Sequence, residues 1–515
     1  MNDYEKHKQK LRLAFEDQTA EPVTSGIYLI KGDVSGIQEY IFNVSSKGAA
    51  KALHEHSKNV MKLEEKYLKA LSERLGNTTI KPYKGGGGFH LIFEKEQPKD
   101  IERILNDFHQ EINAESKFYP ISVRLSYGFG ERFEDAWKSL MENNNTKRYQ
   151  QYGTLEQPLF DELFQPFKTK ETAFDESIAD YKLETPLIEN QRWNDVLIKI
   201  HTDQKGSNVE EAKVDNLIDF DGYASFAKAR TGTDFLGVLK MDVDNLGNLF
   251  GNCKSKSKFS ELSNFFNDFF GKKNIENLLG QKFTQNNDVE WTYHQNIYTV
   301  FAGGDDCFFI GSWDAILSFA QIIHSEFQKQ VESQLRRPGI TLSAGIVLLD
   351  SKIPVVQLGK MAEEALSKAK SRKVNTMTVK NGISLMNEIF SWDNYKGILT
   401  QTDTLAGFLT DKKITRGLLE KIKKSSIGFE ALQDRIKKGK KLPFDRAYRL
   451  KYYLRDVKKE HVDEVESEIF KPYIDSLTQA LMATKDGQYS NPMRFPLAAR
   501  LAEFKTRKTI KDDSK

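Results

Sequence analysis

The sequence predicts an α+β protein in which two related strand-and-helix halves are followed by a helical region. Apolar, strand-like runs that end in glycine turns occur twice in the same order, and amphipathic helical patterns lie between them. From about residue 386 onward the strand signals stop and amphipathic helices dominate. The expected segments are an N-terminal extension (1–24), a first half (25–140), a polar connecting segment (141–225), a second half (226–385) and a basic helical region (386–515).

The bulk composition is that of a soluble globular protein. With 515 residues, 39% hydrophobic and 29% charged, the chain has room for roughly three or four domains. No apolar run approaches the roughly 20 residues of a membrane span, and the charged N-terminus lacks the apolar core of a secretory signal. Cys253 and Cys307 are too few for a disulfide framework or a four-thiolate zinc site. We therefore expect a cytoplasmic protein without membrane contact and without zinc.

Adjacent carboxylates stand at the tip of a predicted hairpin. Two apolar runs flank Gly303, Gly304, Asp305 and Asp306, and glycine supplies the positive φ that tight turns need. Two like charges side by side are costly to bury unless a cation compensates them. The hairpin tip is therefore a candidate cation site, with Gly303 and Gly304 as nucleotide contacts.

A second pair of carboxylates ends another predicted strand, where an apolar run leads into Asp242, Val243 and Asp244. Carboxylate oxygens are ligands that Mg²⁺ and Mn²⁺ prefer. Two strand ends that deliver carboxylates suit two-metal phosphoryl or nucleotidyl transfer. We predict that Asp242, Asp305 and Asp306 are catalytic and, with the Val243 carbonyl, hold two Mg²⁺ or Mn²⁺ ions.

Asn245, Leu246, Gly247 and Asn248 come next and are typical of a helix start. Backbone N–H groups at a helix N-terminus favour anions, so we expect these residues to bind the phosphates of a ligand. An ordinary helix cap is the alternative. Asp244 is expected to contact a ribose or the start of this helix.

An internal repeat relates the two halves. The strand ending near Asp33 resembles the strand ending at Asp242, and the run Lys84–Phe93 resembles 302–310. A third matched pair of strands carries Gly128 and Gly345. From the glycine turn to this third glycine is 43 residues in the first copy and 42 in the second. Coincidental strand-and-turn patterning is the alternative explanation.

The copies differ where chemistry would occur. The alignment puts Ser35 opposite Asp244, and Gly87 and Gly88 opposite the two hairpin carboxylates. The first copy keeps one carboxylate of four, but its glycines let a backbone approach a ligand closely. We infer a binding half that faces a catalytic half. The acceptor-nucleotide contacts predicted in the first half are Ser35, Gly36, Gln38, Gly86, Gly87 and Gly88.

These motifs resemble those of the large subunit of type III CRISPR effector complexes, the polymerase/cyclase-type subunit with paired Palm domains. The resemblance is carried by 32–38 (GDVSGIQ), 46–51 (SKGAAK), 242–247 (DVDNLG) and 303–306 (GGDD). It spans 25–385 by motif and the helical C-terminal region by order. The wording of 46–51 is closer to the Csm branch than to the Cmr branch.

The resemblance implies two ferredoxin-like Palm domains of the nucleotide cyclase/polymerase type, a linker domain and a C-terminal helical domain. It implies a sensor that turns ATP into cyclic oligoadenylates when a guide RNA captures target RNA. The implied partners are a small helical subunit, backbone subunits and the subunit that binds the 5′ end of the guide. Many members carry a His-Asp nuclease domain, but none of the nine histidines here precedes an aspartate, so we expect no such nuclease activity. The two cysteines also exclude the zinc ribbon found in many members.

Lys370 and Lys373 follow an amphipathic pattern and resemble the phosphate-binding lysine position of Palm cyclases. A solvated helix C-terminus is the alternative for this pair. A second basic feature is 411–460, which has 17 Lys/Arg against 7 Asp/Glu. This segment is expected either to contact RNA or an acidic protein, or to form a solvated surface.

Several functions stay open at this point. The first is RNA-activated synthesis of cyclic oligoadenylates. A second uses the same fold to transfer AMP from ATP to S-adenosylmethionine, and a third is a catalytically silent scaffold subunit. A free-standing cyclic-dinucleotide cyclase is a fourth. The clustered carboxylates argue against a scaffold, since a scaffold has no use for costly like charges.

Overall fold

The structure is a computed structural model. It describes residues 26–44, 49–75, 83–85, 88–94, 101–114, 121–153, 220–286, 289–336, 339–374, 377–425, 438, 452, 454–482 and 491–507. The predicted nucleotide contacts Gly86 and Gly87, the extension 1–24, most of the connecting segment and much of the basic segment lie outside these residues.

The first half contains one four-stranded antiparallel sheet in the order β2-β3-β1-β4. Four helices accompany its strands. The elements are β1 (Ile27–Ser35), α1 (Ile37–Phe42), α2 (Ala49–Leu75), β2 (Tyr83–Gly85), β3 (Gly88–Glu94), α3 (Ile101–Ala114), β4 (Ser122–Gly130) and α4 (Phe133–Gly153).

The second half contains a six-stranded sheet in the order β14-β13-β10-β5-β9-β8, in which only β10 and β13 pair in parallel. Two short hairpins, β6–β7 and β11–β12, stand beside it. The elements are α5 (Phe220–Thr231), β5 (Phe235–Val243), α6 (Leu246–Gly251), α7 (Lys256–Phe269), α8 (Lys272–Leu279), β6 (Lys282–Asn286), β7 (Val289–Thr292), β8 (Ile297–Gly303), β9 (Asp306–Ser312), α9 (Trp313–Gln330), β10 (Leu342–Asp350), α10 (Val355–Lys370), β11 (Lys373–Val374), β12 (Met377–Thr378), β13 (Gly382–Leu385) and β14 (Glu388–Ser391).

The two sheets share one topology. The order β2-β3-β1-β4 of the first half recurs as β8-β9-β5-β10 in the second. The register agrees as well, because Asp33 pairs with Gly88 in the first sheet and Asp242 pairs with Asp306 in the second. The predicted repeat, its alignment of Gly88 with Asp306 and the paired ferredoxin-like α+β fold are confirmed.

The third matched pair of glycines has a packing role. A Cβ on Gly128 would lie 2.2 Å from the Leu140 nitrogen of α4, and one on Gly345 would lie 2.3 Å from the Leu366 nitrogen of α10. Each glycine therefore lets the following helix lie directly against its strand. The same device at the same place explains why these two positions match in sequence.

The prediction that strands stop near residue 386 is wrong, because β14 follows β13 through a two-residue turn. Met386 and Asn387 form this turn with φ of 50° and 68°. Two positive φ values favour glycine or asparagine, so a turn that contains methionine could not be recognised as a hairpin in the sequence. The domain boundaries otherwise stay predictions; α4 runs across residue 140, and β14 lies beyond 385.

Helices make up most of the described part of the chain after β14. None of the helices in the described ranges is long and apolar enough to cross a membrane. The helices are α11 (Trp392–Thr410), α12 (Arg416–Lys424), α13 (Val462–Val465), α14 (Lys471–Met482) and α15 (Arg494–Lys505).

A buried apolar cluster joins the two halves. Ile41 and Phe42 of α1 pack with Leu236 and Val238 of β5 and with Leu358 of α10. Alternate residues of a strand point to the same face. The face of β5 that carries these apolar side chains therefore also carries polar side chains nearer the C-terminal end of the strand. Asp242 of β5 therefore lies on the same face as Leu236 and Val238.

Candidate active site

The glycine–aspartate hairpin forms as predicted. Gly303 pairs with Asp306, which leaves Gly304 and Asp305 as a two-residue turn between β8 and β9. Gly304 has a φ of 63°, the left-handed value that the turn requires. A Cβ on Gly303 would meet nothing within 4 Å, so there is room for a ligand beside this strand end.

Three carboxylates, those of Asp242, Asp305 and Asp306, meet where the inner strands β5 and β9 of the second sheet reach one end of the sheet, a place that we call the carboxylate edge. Asp242 of β5 stands directly opposite Asp306 of β9. The Val243 N–H donates to the Asp305 carbonyl at 3.0 Å, which ties the hairpin tip to the end of β5. The structure thus brings together the predicted catalytic residues Asp242, Asp305 and Asp306, with Val243 beside them.

Burial acts on all three groups, and repulsion between the carboxylates adds to it for Asp305 and Asp306. Burial, with the charge of Asp242 adding to it, raises the pKa of Asp305 to about 7. Burial and the charge of Asp305 raise the pKa of Asp306 well above its ordinary range. Burial also raises the pKa of Asp242, although Lys370 opposes this. Three crowded carboxylates stay ionised at neutral pH only if additional positive charge compensates them.

Protein cations supply part of that compensation. Lys370, the last residue of α10, lies with its Nζ 2.5 Å from Asp242 Oδ2. Lys240 of β5 and Lys31 of β1 also favour the ionised carboxylates. The predicted partner Lys373 is exposed in β11, and within the described residues it makes no ion pair or hydrogen bond to the three carboxylates. Lys370 is therefore brought to the site and Lys373 is not.

The donor chemistry fits hard divalent cations. The three carboxylates offer only oxygen, and burial is the main cause that raises their pKa values, so a cation beside them would favour their ionised forms. Within the described residues, however, no three His, Cys, Asp or Glu side chains form a ready-made metal-binding group. Asp242 is turned to Lys370 instead. An ion bound at this edge would share Asp242 with the Lys370 ammonium, which contacts Oδ2.

Asp244 has a different environment from the other carboxylates. It is buried and accepts hydrogen bonds from Ser343 Oγ at 2.7 Å, Thr341 Oγ1 at 2.9 Å and the Asn381 N–H at 2.9 Å. Lys380 and Asn381 have φ of 51° and 45°, so this carboxylate holds a left-handed loop in place. Three protein donors occupy the group that the sequence suggested for a ribose, and we assign it to positioning this loop.

The predicted phosphate contacts form a short helical turn. Asn245 caps α6 with a φ of 59°. Its carbonyl accepts from the Asn248 N–H at 2.9 Å and the Leu249 N–H at 3.0 Å. The Asn248 amide is thus used within the turn. Gly247 is exposed, and Leu246 and Gly247 provide the amides of the first turn.

The first half presents a neutralised counterpart of the carboxylate edge. Asp33 accepts from Arg124 at 2.6 Å and lies 3.6 Å from Lys31. Ser35 is exposed at the end of β1, and Gly36 caps α1 with a φ of 79°. The single carboxylate kept by the first copy is therefore held by protein cations.

Gln38 and Gly88 complete the predicted acceptor set among the described residues. Gly88 pairs with Asp33, and a Cβ there would lie 3.2 Å from the Gly32 carbonyl. Gln38 does not point to open space, because its Nε2 donates to Glu363 Oε2 of α10 at 3.2 Å. The structure thus gives Gln38 a contact between the halves, and its binding of a nucleotide stays a prediction.

Two further residues behave as core. His90 is buried and stacks on Trp137 with ring centroids 5.6 Å apart, while Phe259 meets its ring edge-on at 5.7 Å. Cys307 is fully buried next to Asp306, and burial raises its thiol pKa well above the ordinary value. A buried thiol of this kind is a small hydrophobe and not a nucleophile.

Sequence analysis missed Lys240 and Glu363. Lys240 is buried on β5 and forms an ion pair with Glu363 of α10. The lysine lies two residues before Asp242, the spacing that puts both side chains on one face of a strand. That spacing was the one available signal, because Glu363 is 123 residues away in the sequence.

Two family models match the chain. Residues 26–169 match the Csm1 subunit domain B. Residues 235–378 match the second palm domain of Cas10/Cmr2. The two matches fall on the two halves of the repeat.

Curated relatives named Cas10/Csm1 match parts of the chain. The single-strand-specific deoxyribonuclease Cas10/Csm1 (subtype III-A) of Methanocaldococcus jannaschii is 37% identical over 195 residues, which are 36% of this chain and 24% of that protein. Its namesake from Thermococcus onnurineus is 26% identical over 447 residues, 70% of this chain and 57% of that protein. This chain therefore spans about a quarter to just over half of the length of these relatives.

Solved structures share the fold over nearly the whole chain. A Csm1–Csm4 cassette in complex with cA4 superposes with a TM-score of 0.60 at 19% identity, covering 94% of this chain and 70% of that one. Csm1 of Thermococcus onnurineus gives a TM-score of 0.59 at 19% identity, covering 93% and 70%. At this identity the likeness establishes the architecture.

Proposed function

Because this chain belongs to the Cas10/Csm1 family of type III-A CRISPR large subunits, we propose that it is a nucleotidyltransferase that converts ATP into cyclic oligoadenylates. The observation that carries the proposal is the meeting of Asp242, Asp305 and Asp306 at one sheet edge, with Lys370 beside them. A structural role alone gives no reason to crowd three carboxylates whose burial opposes their ionisation.

The carboxylates, together with the Val243 carbonyl, would hold two Mg²⁺ or Mn²⁺ ions. Bound divalent ions would lower the pKa of an acceptor ribose hydroxyl and neutralise charge on the donor triphosphate. The hydroxyl oxygen would then form a bond to the α-phosphorus as pyrophosphate leaves. Lys370, beside Asp242, carries its ammonium on a side chain long enough to bind the departing phosphates as well.

Positioning of the two nucleotides would supply much of the remaining catalysis. Gly303 and Gly304 leave space beside the carboxylates for the donor, and the first-turn amides of Leu246 and Gly247 would bind its phosphates. In the first half, exposed Ser35, the Gly36 cap and the glycine turn that includes Gly88 would hold the acceptor. Asp33 contributes no free charge there, since Arg124 neutralises it.

The comparisons support a nucleotide ligand. Solved Csm1–Csm4 cassettes of this fold carry AMPPNP, ATP and cA4. We extend adenine-nucleotide binding to this chain because its second half keeps the acidic hairpin. The deoxyribonuclease activity named for the curated relatives is not part of the proposal, which concerns the residues of the two palm domains.

We further propose that the chain works within an RNA-guided complex in the cytoplasm. Guide and target RNA would reach it through other subunits: a small helical subunit, backbone subunits and the subunit that binds the guide 5′ end. Csm4, present in the solved cassettes, is the partner for which a neighbour offers direct support. The basic segment 411–460 offers charge suited to RNA or an acidic protein.

Mass spectrometry of the products formed from ATP with Mg²⁺ or Mn²⁺ tests the proposal. The full chain, assembled with guide RNA and partner subunits, is assayed with and without complementary target and S-adenosylmethionine. We expect cyclic oligoadenylates that require target and disappear in Asp305→Ala/Asp306→Ala. An adduct formed only with S-adenosylmethionine would reassign the acceptor. Absence of any product from a target-bound complex would refute the proposed enzymatic activity and favour a scaffold function.

A further inference from the structure

One carboxylate joins the first half of the molecule to the buried lysine beside the active site. Glu363 Oε2 accepts from Gln38 Nε2 of α1 at 3.2 Å, and it also accepts from Lys240 Nζ of β5. Gln38 and Glu363 are 325 residues apart in the sequence. The two halves therefore share a polar contact that ends two residues from the catalytic Asp242.

Helix packing fixes the place of this contact. Phe42 lies four residues after Gln38 on α1, and Gly359 lies four residues before Glu363 on α10. A Cβ on Gly359 would be 2.6 Å from the Phe42 ring, so the absent side chain lets α1 lie directly on α10. Residues four apart share a helix face. The two helices thus meet at two points, one apolar and one polar.

Lys240 is poorly placed for a surface role. Its side chain is 4% exposed, whereas that of Glu363 is 46% exposed. A buried ammonium is costly unless it is paired, and truncating its partner leaves an uncompensated charge. Burial opposes ionisation of Glu363, but the hydrogen bond and charge of Lys240 and the hydrogen bond from Gln38 lower its pKa. The pair is therefore ionic, and Lys240 places its charge next to the carboxylate edge.

The same helix bears a second contact to that edge. Lys370 follows Glu363 by seven residues, two turns of α10, so both side chains project from nearly the same face. Lys370 pairs with Asp242, and Glu363 pairs with Lys240. A small movement of α10 against β5 would change both contacts together.

We propose that Lys240 and Glu363 are a positioning pair for the carboxylate edge, and that Gln38 couples this pair to the nucleotide-binding first half. Neither residue touches the reacting atoms. The pair holds α10 against β5, and α1, which follows directly on Ser35 and Gly36, transmits its position through Gln38. This inference rests on the proposed nucleotidyl transfer and names the contact that aligns its two halves.

The test compares Glu363→Gln with Glu364→Gln in the full chain assembled in its complex. Glu364 is the next residue of the same helix and is exposed. Glu364→Gln is therefore a matched control, which removes one carboxylate charge at a solvent-exposed position. We expect Glu363→Gln to lower kcat about tenfold, since buried Lys240 loses the charge of its partner, with KM for ATP within about twofold. Gln38→Leu should lower kcat by a smaller factor, and Glu364→Gln should match the wild type.

A second readout needs neither nucleotide nor metal. Hydrogen exchange of the isolated full chain is followed at the amides of α1 and α10. We expect faster exchange in both helices for Glu363→Gln and Gln38→Leu, and wild-type exchange for Glu364→Gln. This measurement reports the contact between the halves directly.

The outcomes separate the two proposals. A wild-type complex without product refutes the proposed function. An active wild type in which Glu363→Gln and Glu364→Gln have equal kcat refutes the positioning pair alone. Unchanged hydrogen exchange in Glu363→Gln and Gln38→Leu refutes the coupling between the halves. A reduced kcat at unchanged KM, with faster exchange in α1, supports the inference.

Discussion

Lys370 forms an ion pair with Asp242, one of the three proposed catalytic carboxylates, and replacing it with methionine removes that charge while keeping most of the side-chain volume. Its Nζ lies 2.5 Å from Asp242 Oδ2. The charge of Lys370 also lowers the pKa of Asp305 and Asp306. Without it the pKa values of all three carboxylates should rise, because less positive charge favours their ionised forms.

The size of the effect follows from this contact. A hydrogen bond between charged groups contributes roughly 1.5–3 kcal/mol. The side chains of Lys370 and Asp242 are 29% and 23% exposed, so solvent screens part of it and about 2 kcal/mol is a reasonable value. That corresponds to a loss of about 30-fold in kcat/KM for Lys370→Met near neutral pH.

The pH dependence distinguishes this mechanism from a lost phosphate contact. The carboxylates must be ionised to act, and the substitution raises their pKa values, so the acidic limb of the rate profile should move to higher pH. The loss of kcat/KM in Lys370→Met relative to the wild type should therefore shrink as the pH rises from about 6 to 9. Lys360→Met, at an exposed position of α10, is the control. A deficit that is constant with pH, or a rate within about twofold of wild type, would refute the reasoning.

Three further predictions concern stability. Gly345→Ala should lower the denaturation midpoint and reduce the free energy of unfolding by about 1–3 kcal/mol, since the new Cβ meets α10 at 2.3 Å. Gly407→Ala, where the new Cβ enters open space in a helix, should raise the midpoint. Equal shifts of the midpoint in the two variants would contradict this. Asp244→Asn should destabilise by about 1–3 kcal/mol in denaturant unfolding, because its amide cannot accept from all three donors; an unchanged midpoint would count against its assigned role. Burial lowers the pKa of His90 from 6.5 to about 3, so the unfolded state binds a proton at higher pH than the folded state does. The free energy of unfolding should therefore fall as the pH drops below about 6.5, by up to about 1.4 kcal/mol per pH unit. His90→Phe should flatten that slope in pH-dependent melting, and an unchanged slope would exclude His90 as its source.

The sequence predicted the local features of the site well. The acidic hairpin, the end of β5 and the repeat could be recognised because each depends on neighbouring residues and on turn chemistry. The register that pairs Asp33 with Gly88 and Asp242 with Asp306 follows from that repeat. Strand β14 escaped because its turn contains Met386, a residue that seldom adopts a positive φ.

Long-range partners could not be predicted in the same way. Asp244 was expected near a ribose or the start of a helix, but its donors lie about a hundred residues away, Thr341 just before β10 and Ser343 within it. Gln38 was assigned to a nucleotide because nothing local marks Glu363 as its partner. A polar side chain at a strand or helix end has many possible partners, and only the packing of the two halves selects among them.

Metal-dependent transfer of AMP is the central claim, and release of pyrophosphate from ATP by the assembled, target-bound complex measures it most directly. We predict release that requires Mg²⁺ or Mn²⁺ and falls by at least about a hundredfold in Asp305→Asn/Asp306→Asn, which keeps side-chain shape while removing the charge. Equal release by the wild type and this variant, or release that persists after chelation of divalent ions, would contradict the assignment of the carboxylate edge as the active site.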